Sequence, residues 1–382
     1  MLPPEAEAAP EAPPPEPAPK PAVTATRVYP FRFTGDAKEY FRIWIVNLFL
    51  SVITIGLYSP WAKVRKTRYL HANTWVADAN LEYHGNPLAI LKGRLIAVGA
   101  LITYNLGGHY LPKLGTAILI ALMVIAPWLV VRSMQFNAVN TSYRNLRFHF
   151  HGRYREGLKV IAPLLLSPIL VLVLPPVDPN TDPTRPLLWA SVFLPVVPFL
   201  LFYPYVIGAL RRFQVENLAY GTEPFTIAIG IATFYGIYIV AALLFLVGMV
   251  LMGFSAMVVV FWSWAIFVPM FAYLLVIAVV FAYTRSRVTN KTFNASRLGE
   301  GRFRSDISFI KLGWMYFVNV FAIVFTCGML VPWAVIRVAR YRAGCLAIES
   351  DGDLESFLAD VSRPVSATGD QLGEFFDVDL SL

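Results

Sequence analysis

One stretch of 24 residues is written twice in this 382-residue chain, once near each end. Residues 46–69 read VNLFLSVITIGLYSPWAKVRKTRY and residues 318–341 read VNVFAIVFTCGMLVPWAVIRVARY. The copies share Val46/Val318, Asn47/Asn319, Phe49/Phe321, Val52/Val324, Thr54/Thr326, Gly56/Gly328, Pro60/Pro332, Trp61/Trp333, Ala62/Ala334, Arg65/Arg337, Arg68/Arg340 and Tyr69/Tyr341. An apolar run feeding Pro-Trp and then a basic stripe is the pattern of a chain leaving a bilayer. A repeat this long governs the fold, because each copy has an apolar face that only a neighbouring unit can cover.

The chain is 57% hydrophobic and 15% charged, with a mean hydropathy of +0.58, too apolar for a soluble protein of this length. Eight segments approach the length that crosses a hydrocarbon core: 41–58, 88–106, 115–131, 158–175, 187–208, 225–251, 256–283 and 313–331. They are solidly apolar rather than alternating, which excludes a transmembrane β-barrel. Residues 1–26 have neither a basic start nor an apolar core, so no signal peptide is expected, only a disordered tail rich in Pro, Ala and Glu. The expected domains are that tail, a repeat-built membrane domain over 27–346 and an acidic tail over 347–382. Cys327 and Cys345 imply no disulfide framework.

The net charge of +8 is a matter of placement. The first, third, fifth and seventh loops between segments hold 21 Lys and Arg residues, whereas the other loops hold only Lys113 and Arg185. The positive-inside rule puts the basic loops in the cytoplasm. Nothing in them resembles a base-reading or stacking element, so nucleic acid is not a partner.

Weaker copies of the unit occupy the basic loops. Pro60-Trp61, Arg65, Tyr69, Asn73-Thr74 and Leu81-x-Tyr83-x-Gly85 recur as Pro127-Trp128, Arg132, Phe136, Asn140-Thr141 and Phe148-x-Phe150-x-Gly152. A third copy runs from Pro204-Tyr205 through Phe213 to Asn217, and a fourth is reduced to Arg285, Arg287, Asn290 and Asn294. Phe31-x-Phe33-x-Gly35 is the tail of a unit whose first half is missing. Residues four apart share a helix face, so Trp61, Arg65, Tyr69 and Asn73 form one stripe on a helix that continues beyond the membrane. After it, TWVADANLEYHG and TSYRNLRFHFHG read as β-hairpins turning at Asp78-Ala79-Asn80 and Arg144-Asn145. Several such hairpins on one face can pair into a small sheet.

Residues 31–97, the Pro332-Trp333 copy and the final GEFFDVDLSL resemble the YjgN-like family of bacterial inner-membrane proteins. The resemblance implies a multi-pass protein of the bacterial cytoplasmic membrane. It carries over neither an activity nor site residues.

The expected class is therefore an all-α polytopic membrane protein, with six to eight transmembrane helices, internal repeats and short β-hairpins on the cytoplasmic face. No nucleophile elbow, P-loop or metalloprotease helix occurs, so no enzyme activity, catalytic residue or cofactor is expected. His71, His84, His149 and His151 lack the cysteine or paired acidic ligands of a metal site. Asn47, Thr54, Asn319 and Thr326 are candidate intramembrane polar contacts, either between helices or to a solute. Trp61, Arg65, Arg68, Tyr69, Trp128, Arg132, Trp333, Arg337, Arg340 and Tyr341 are candidate contacts to lipid or to a partner protein, since arginine pairs strongly with phosphate at headgroup depth. The acidic tail, anchored by Phe375 and Phe376, is a candidate lid over these basic units.

Two functions stay open: a membrane platform engaging anionic lipid or protein, or a transporter or channel for an uncharged or weakly charged solute. Eight spans would put the homologous end units in the wrong compartment. Either segments 41–58 and 313–331 are re-entrant, broken at Thr-x-Gly, or they are inverted spans.

Overall fold

The computed structural model describes residues 26–110, 112–174, 186–262, 265 and 267–350. The expected terminal tails lie outside these, except for Thr26 and residues 347–350. Among the described residues, eleven helices and eleven strands build one unit five times, a helix away from the sheet, a helix back and a hairpin, with an extra short helix in the third unit and the fifth hairpin divided between the two ends of the chain.

The chain enters through β1 (Arg27–Pro30) and β2 (Arg32–Phe33). Unit one is α1 (Ala37–Ile53), α2 (Ser59–Ala72), β3 (Thr74–Val76) and β4 (Ala79–Tyr83). Unit two is α3 (Pro87–Tyr110), α4 (Pro112–Val139), β5 (Thr141–Tyr143) and β6 (Leu146–Phe150). Unit three is α5 (Tyr154–Val173), the short α6 (Pro186–Phe193), α7 (Val196–Glu216), β7 (Leu218–Tyr220) and β8 (Glu223–Ile227). Unit four is α8 (Ala232–Phe261), α9 (Phe267–Ala295), β9 (Ser296–Leu298) and β10 (Gly301–Ser305). Unit five is α10 (Phe309–Phe325), α11 (Val331–Gly344) and β11 (Leu346–Ser350).

The all-α expectation needs correction, because the hairpins join into a single antiparallel sheet ordered β1-β11-β10-β9-β8-β7-β6-β5-β4-β3-β2. Its two ends are consecutive in sequence. β1 pairs with β11, β2 pairs with β3, and only Phe31 separates them, so the sheet closes into a ring. The fifth hairpin is thus shared between the termini: β11 supplies its first strand, and the half-unit Phe31-x-Phe33-x-Gly35 completes it. Closure removes the unpaired edges that so short a set of strands would otherwise expose.

All five junctions between units use one register. Tyr83 faces Thr141, Phe150 faces Leu218, Ile227 faces Ser296, Ser305 faces Leu346 and Phe33 faces Thr74. One residue further, the N–H groups of His84, His151, Ala228, Asp306 and Thr34 donate to the carbonyls of Asn140, Asn217, Ala295, Cys345 and Asn73 at 2.8–3.0 Å. Two-residue turns fit the twist of the strands: Ala77-Asp78 and Arg144-Asn145 have positive φ throughout, while Gly221 and Gly299 supply it at the first position. The first turn therefore sits one residue before the expected Asp78-Ala79-Asn80. The ring is filled by Val76, Tyr143, Leu146, Tyr220 and Phe225, with Phe31, Phe148, Phe303 and Ile348 packed against them. Tyr143 donates to Val76 O at 2.7 Å and Tyr220 to Tyr143 O at 3.0 Å, so both phenols meet their polar needs inside this apolar plug.

Below the sheet, each helix packs on its successor, except that α5 packs on α7 past the short α6, and α11 packs on α1, so the helices also form a ring. Six stretches are long and apolar enough to span a membrane: Pro87–Gly107, Lys113–Val139, Tyr154–Val173, Trp189–Glu216, Ala232–Met257 and Phe267–Ala295. They belong to units two to four. Two expected segments shift. Residues 225–227 are strand, since Glu223–Ile227 alternates, and α8 begins only after Gly230. The break before α9 falls at Trp262 rather than near residue 253, because an apolar turn leaves no polar mark on the sequence. The last strand also runs four residues beyond the expected domain boundary at 346.

Candidate functional site

Units one and five contribute none of the six helices long and apolar enough to cross a membrane. The α1 helix has 17 residues and α2 has 14, and α10 and α11 repeat those lengths. The α4 helix has 28 residues and carries Pro127-Trp128 midway, whereas α2 starts at the equivalent Pro60-Trp61. In unit one the return helix is thus about 21 Å shorter than in unit two and the outward helix about 10 Å shorter, at ~1.5 Å per residue. Each is a short helical hairpin with both ends at the sheet, a shape the re-entrant alternative would have.

The turn at the tip of these hairpins is built the same way twice. Thr54 Oγ1 donates to Leu50 O at 2.7 Å and accepts Tyr58 N–H at 2.9 Å. Thr326 Oγ1 donates to Ala322 O at 2.6 Å and accepts Leu330 N–H at 3.1 Å. Ile55 and Cys327 have φ of 49° and 50°, and Gly56 and Gly328 follow at 85° and 90°. A left-handed turn disfavours a β-branched residue such as Ile55, so the glycine and the bridging threonine are what hold it. The tips are bare and apolar: Ile55 is 94% exposed and Phe325 80%. Thr54 and Thr326 thus serve the backbone of their own turns.

The open ends are also closed alike. Tyr69 Oη accepts the Asp36 N–H at 2.9 Å, and Tyr341 Oη accepts the Ser308 N–H at 2.9 Å, each pair 33 residues apart. Asp36 and Ser308 are the N-caps of α1 and α10, so each tyrosine ties the start of one helix to the end of the next. Burial is the main reason the Tyr69 phenol is pushed up to about 12. Both tyrosines hold the hairpins together rather than reach outward.

The basic stripe divides into committed and available groups. The Arg337 guanidinium lies 5.0 Å from the Trp333 ring centre and donates to Asn319 Oδ1 at 3.3 Å. Arg65 lies 5.8 Å from the Tyr58 ring, which stacks on Trp61. Arg287 lies 5.7 Å from the Tyr283 ring, which aligns unit four at Tyr283 and Arg287, a register hidden by its missing Pro-Trp. The aromatic-x3-Arg spacing is thus a cation–π pair in units four and five, worth about 0.5–1 kcal/mol where exposed, whereas in unit one Arg65 takes Tyr58 instead of Trp61. Arg68 donates to Tyr83 O at 3.4 Å and Arg340 to Gly35 O at 2.9 Å, tying helices to strands. Trp128 and Arg132 are exposed on α4, and Arg132 reaches Gln135. Asn47 is as buried as Asn319, yet its Oδ1 has no partner.

Between the hairpins, where α1 packs on α11, lies a cleft of about 420 Å³ lined by Asp36, Ala37, Trp333, Ile336, Arg337, Arg340 and Tyr341. Four expected site residues meet here. Trp61, Arg65, Arg68 and Tyr69 belong to the first copy, and Trp128 and Arg132 to unit two. Sequence reading missed Asp36, Ala37 and Ile336, which only the α1–α11 contact brings in. Asp36 sits below its ordinary range because the Glu39 and Lys38 N–H groups hold its carboxylate, so it is ionised beside Arg340. The cleft carries two cations against one anion.

Among the described residues no group of three His, Cys, Asp or Glu side chains converges as a metal site would require. His84 Nε2 lies 2.7 Å from Ser142 Oγ and 3.4 Å from Glu82, while His71 bonds to Thr67 O, and burial lowers its pKa.

Comparison with known proteins finds relatives in bacterial inner membranes. A protein of Salmonella typhimurium named Inner membrane protein YjgN is 26% identical over 361 residues, covering 85% of this chain and 89% of that protein. A protein of the same name from Escherichia coli O157:H7 is 29% identical over 127 residues, 32% of this chain and 31% of that protein. No solved structure matches. The family described as Bacterial protein of unknown function (DUF898) matches residues 28–375, so the chain belongs to that family and is a multi-pass protein of the inner membrane.

Proposed function

We propose that the chain is a non-enzymatic platform that holds the headgroup of an anionic phospholipid in the cleft between its two re-entrant hairpins, on the cytoplasmic side. The observation that carries this reading is the convergence of Trp333, Arg337 and Arg340 on one cleft. A phosphate there meets two guanidiniums, an indole at interfacial depth and an apolar helix pair on which acyl chains can lie. The excess of Lys and Arg in the sheet-side loops supports the cytoplasmic placement.

The competing reading, a conduit for an uncharged solute, has one observation in favour, the unpartnered Asn47 Oδ1 on α1. The aromatic fill of the sheet ring weighs against it. Purified protein in mixed phosphatidylglycerol and phosphatidylcholine micelles, read by native mass spectrometry, tests the platform. Preferential retention of phosphatidylglycerol that falls several-fold in Arg337→Gln with Arg340→Gln supports it. Equal retention of both lipids, or retention that ignores these substitutions, overturns it.

A further inference from the structure

The outward face of the fourth hairpin carries a charge pattern that the first three lack. Leu298, Phe303 and Ile348 pack against the fill of the sheet ring, so their strand neighbours Arg297, Arg302, Arg304 and Glu349 point away from it. Arg297 stands directly opposite Arg302, and Arg302 stands opposite Glu349 on its other side. At the same register the first three hairpins pair Trp75 with Asn80, Ser142 with Arg147 and Ala219 with Pro224. Like charges directly opposite on neighbouring strands are destabilising, so this pair gains from an anion that joins it.

The carboxylate within the row is already shared. Glu349 faces Arg302 in register, yet its Oε1 accepts from Arg304 Nη1 at 3.0 Å. The outward positions of β9, β10 and β11 therefore set three arginines against one carboxylate, while Glu300 lies in the turn before β10 and Asp306 beyond its end. All three arginines are exposed, so the row is open to a chain that crosses it. Arg297 and Arg302 lie at the turn end of the hairpin, away from the helices, which sets them apart from headgroups at the helix ends.

The course of the chain supplies the anion. β11 ends at Ser350, opposite Arg27 and one residue past Glu349. The next ten residues, DGDLESFLAD, bring Asp351, Asp353, Glu355 and Asp360 and no basic residue. Residues 351–382 as a whole hold eight acidic residues against Arg363. Arg302 lies one strand from the point of departure and Arg297 two, ~10 Å at the usual strand spacing. Five residues reach ~17 Å, so Asp351, Asp353 and Glu355 can all come to the row. A segment tethered so closely acts at an effective concentration of about millimolar, which favours it over a separate partner.

We propose that residues 351–360, which lie outside the described residues, cross the outward face of β10 and β9 as an acidic strap. Asp351, Asp353 and Glu355 meet Arg302 and Arg297 there, and Glu349 stays with Arg304. The strap relieves the repulsion between the facing arginines and closes this basic face to other anions. It is separate from the Trp333 cleft and does not depend on it.

The test uses the full-length chain in a neutral detergent, with Cys327→Ala and Cys345→Ala and a nitroxide label on Ser356→Cys. At low salt the label should report a restricted segment. Salt of about 1 M, where the screening length falls to ~3 Å, should free it. Arg297→Gln with Arg302→Gln should free it at low salt and raise its mobility several-fold, and a thermal melt confirms that this variant is folded. Arg297→Lys with Arg302→Lys, which keeps both charges, should keep most of the restriction. Reversing both sides, Arg297→Glu and Arg302→Glu together with Asp351→Arg and Asp353→Arg, should restore it. A label equally mobile at low salt with and without the Gln substitutions overturns the strap. So does a restriction that ignores both salt and those substitutions. If the label is mobile and native mass spectrometry finds phosphatidylglycerol retained through Arg297 and Arg302, the face belongs to lipid and the strap is overturned.

Discussion

Arg337 donates to the side-chain oxygen of Asn319 at 3.3 Å, while the equivalent oxygen of Asn47 in the first hairpin is buried without a partner. The same two residue types at the same two repeat positions are thus used differently. Arg65, the counterpart of Arg337, lies over Tyr58 instead.

That difference predicts unequal substitutions. Asn319→Leu removes an acceptor from a half-buried cation and should cost about 1–3 kcal/mol. Asn47→Leu removes an unsatisfied group and should be neutral, or stabilise by up to about 1 kcal/mol. Unfolding in mixed detergent measures both; equal losses would contradict the assignment.

The tyrosine clasps predict an alkaline limit. The folded-state value of Tyr69 is raised to about 12 from an ordinary 10. Its contribution to stability is complete below pH 10 and is lost as pH rises toward 12. Melting temperatures across pH 9–12 should fall less steeply in Tyr69→Phe than in the wild type, and absorbance near 295 nm should show one late-titrating phenol fewer.

Glycines that end the second strands predict a graded series. A Cβ on Gly152 would come within 2.5 Å of the Phe150 ring and 2.6 Å of Phe213, and one on Gly85 within 2.5 Å of Tyr83. Gly85→Ala and Gly152→Ala should each cost about 1–3 kcal/mol as the ring is forced to move. Gly253→Ala in α8 meets nothing within 4 Å and should not destabilise. Chemical or thermal melts rank the three, and a destabilised Gly253→Ala would count against this packing.

Re-entrance predicts a labelling pattern. Cys327 is exposed at the tip of the second hairpin. With Cys345 replaced by Ala, an apolar maleimide should modify Cys327 in intact membranes, and a sulfonated one should fail from either side. Reaction with the sulfonated reagent from the periplasmic side would restore the inverted-span alternative. A reporter fused after Leu382 should be active only if its compartment is the cytoplasm.

Much of this architecture can be read from residues with a fixed physical office. Pro-Trp marks where a helix meets the interface, and Thr-x-Gly marks the turn, so the end units and their re-entrant option were legible. The half-unit at Phe31 pointed to a unit whose first half is missing. The closed sheet was not legible, because strands of 2–5 residues are too short for period-two alternation to stand out beside long apolar helices. Unit four escaped alignment because Ala282-Tyr283 replaces Pro-Trp.

Closure of the sheet by β1 and β11 bears on how the molecule is made. The strand that seals the ring against β1 is the last one described, so the N-terminal strand leaves the ribosome first and waits for it. Until residue 350 has emerged, β10 and the outer edge of β1 both offer unpaired backbone to any strand nearby. A polypeptide that stops short keeps those two edges for life, and so carries a chemical mark of incompleteness that the finished protein lacks.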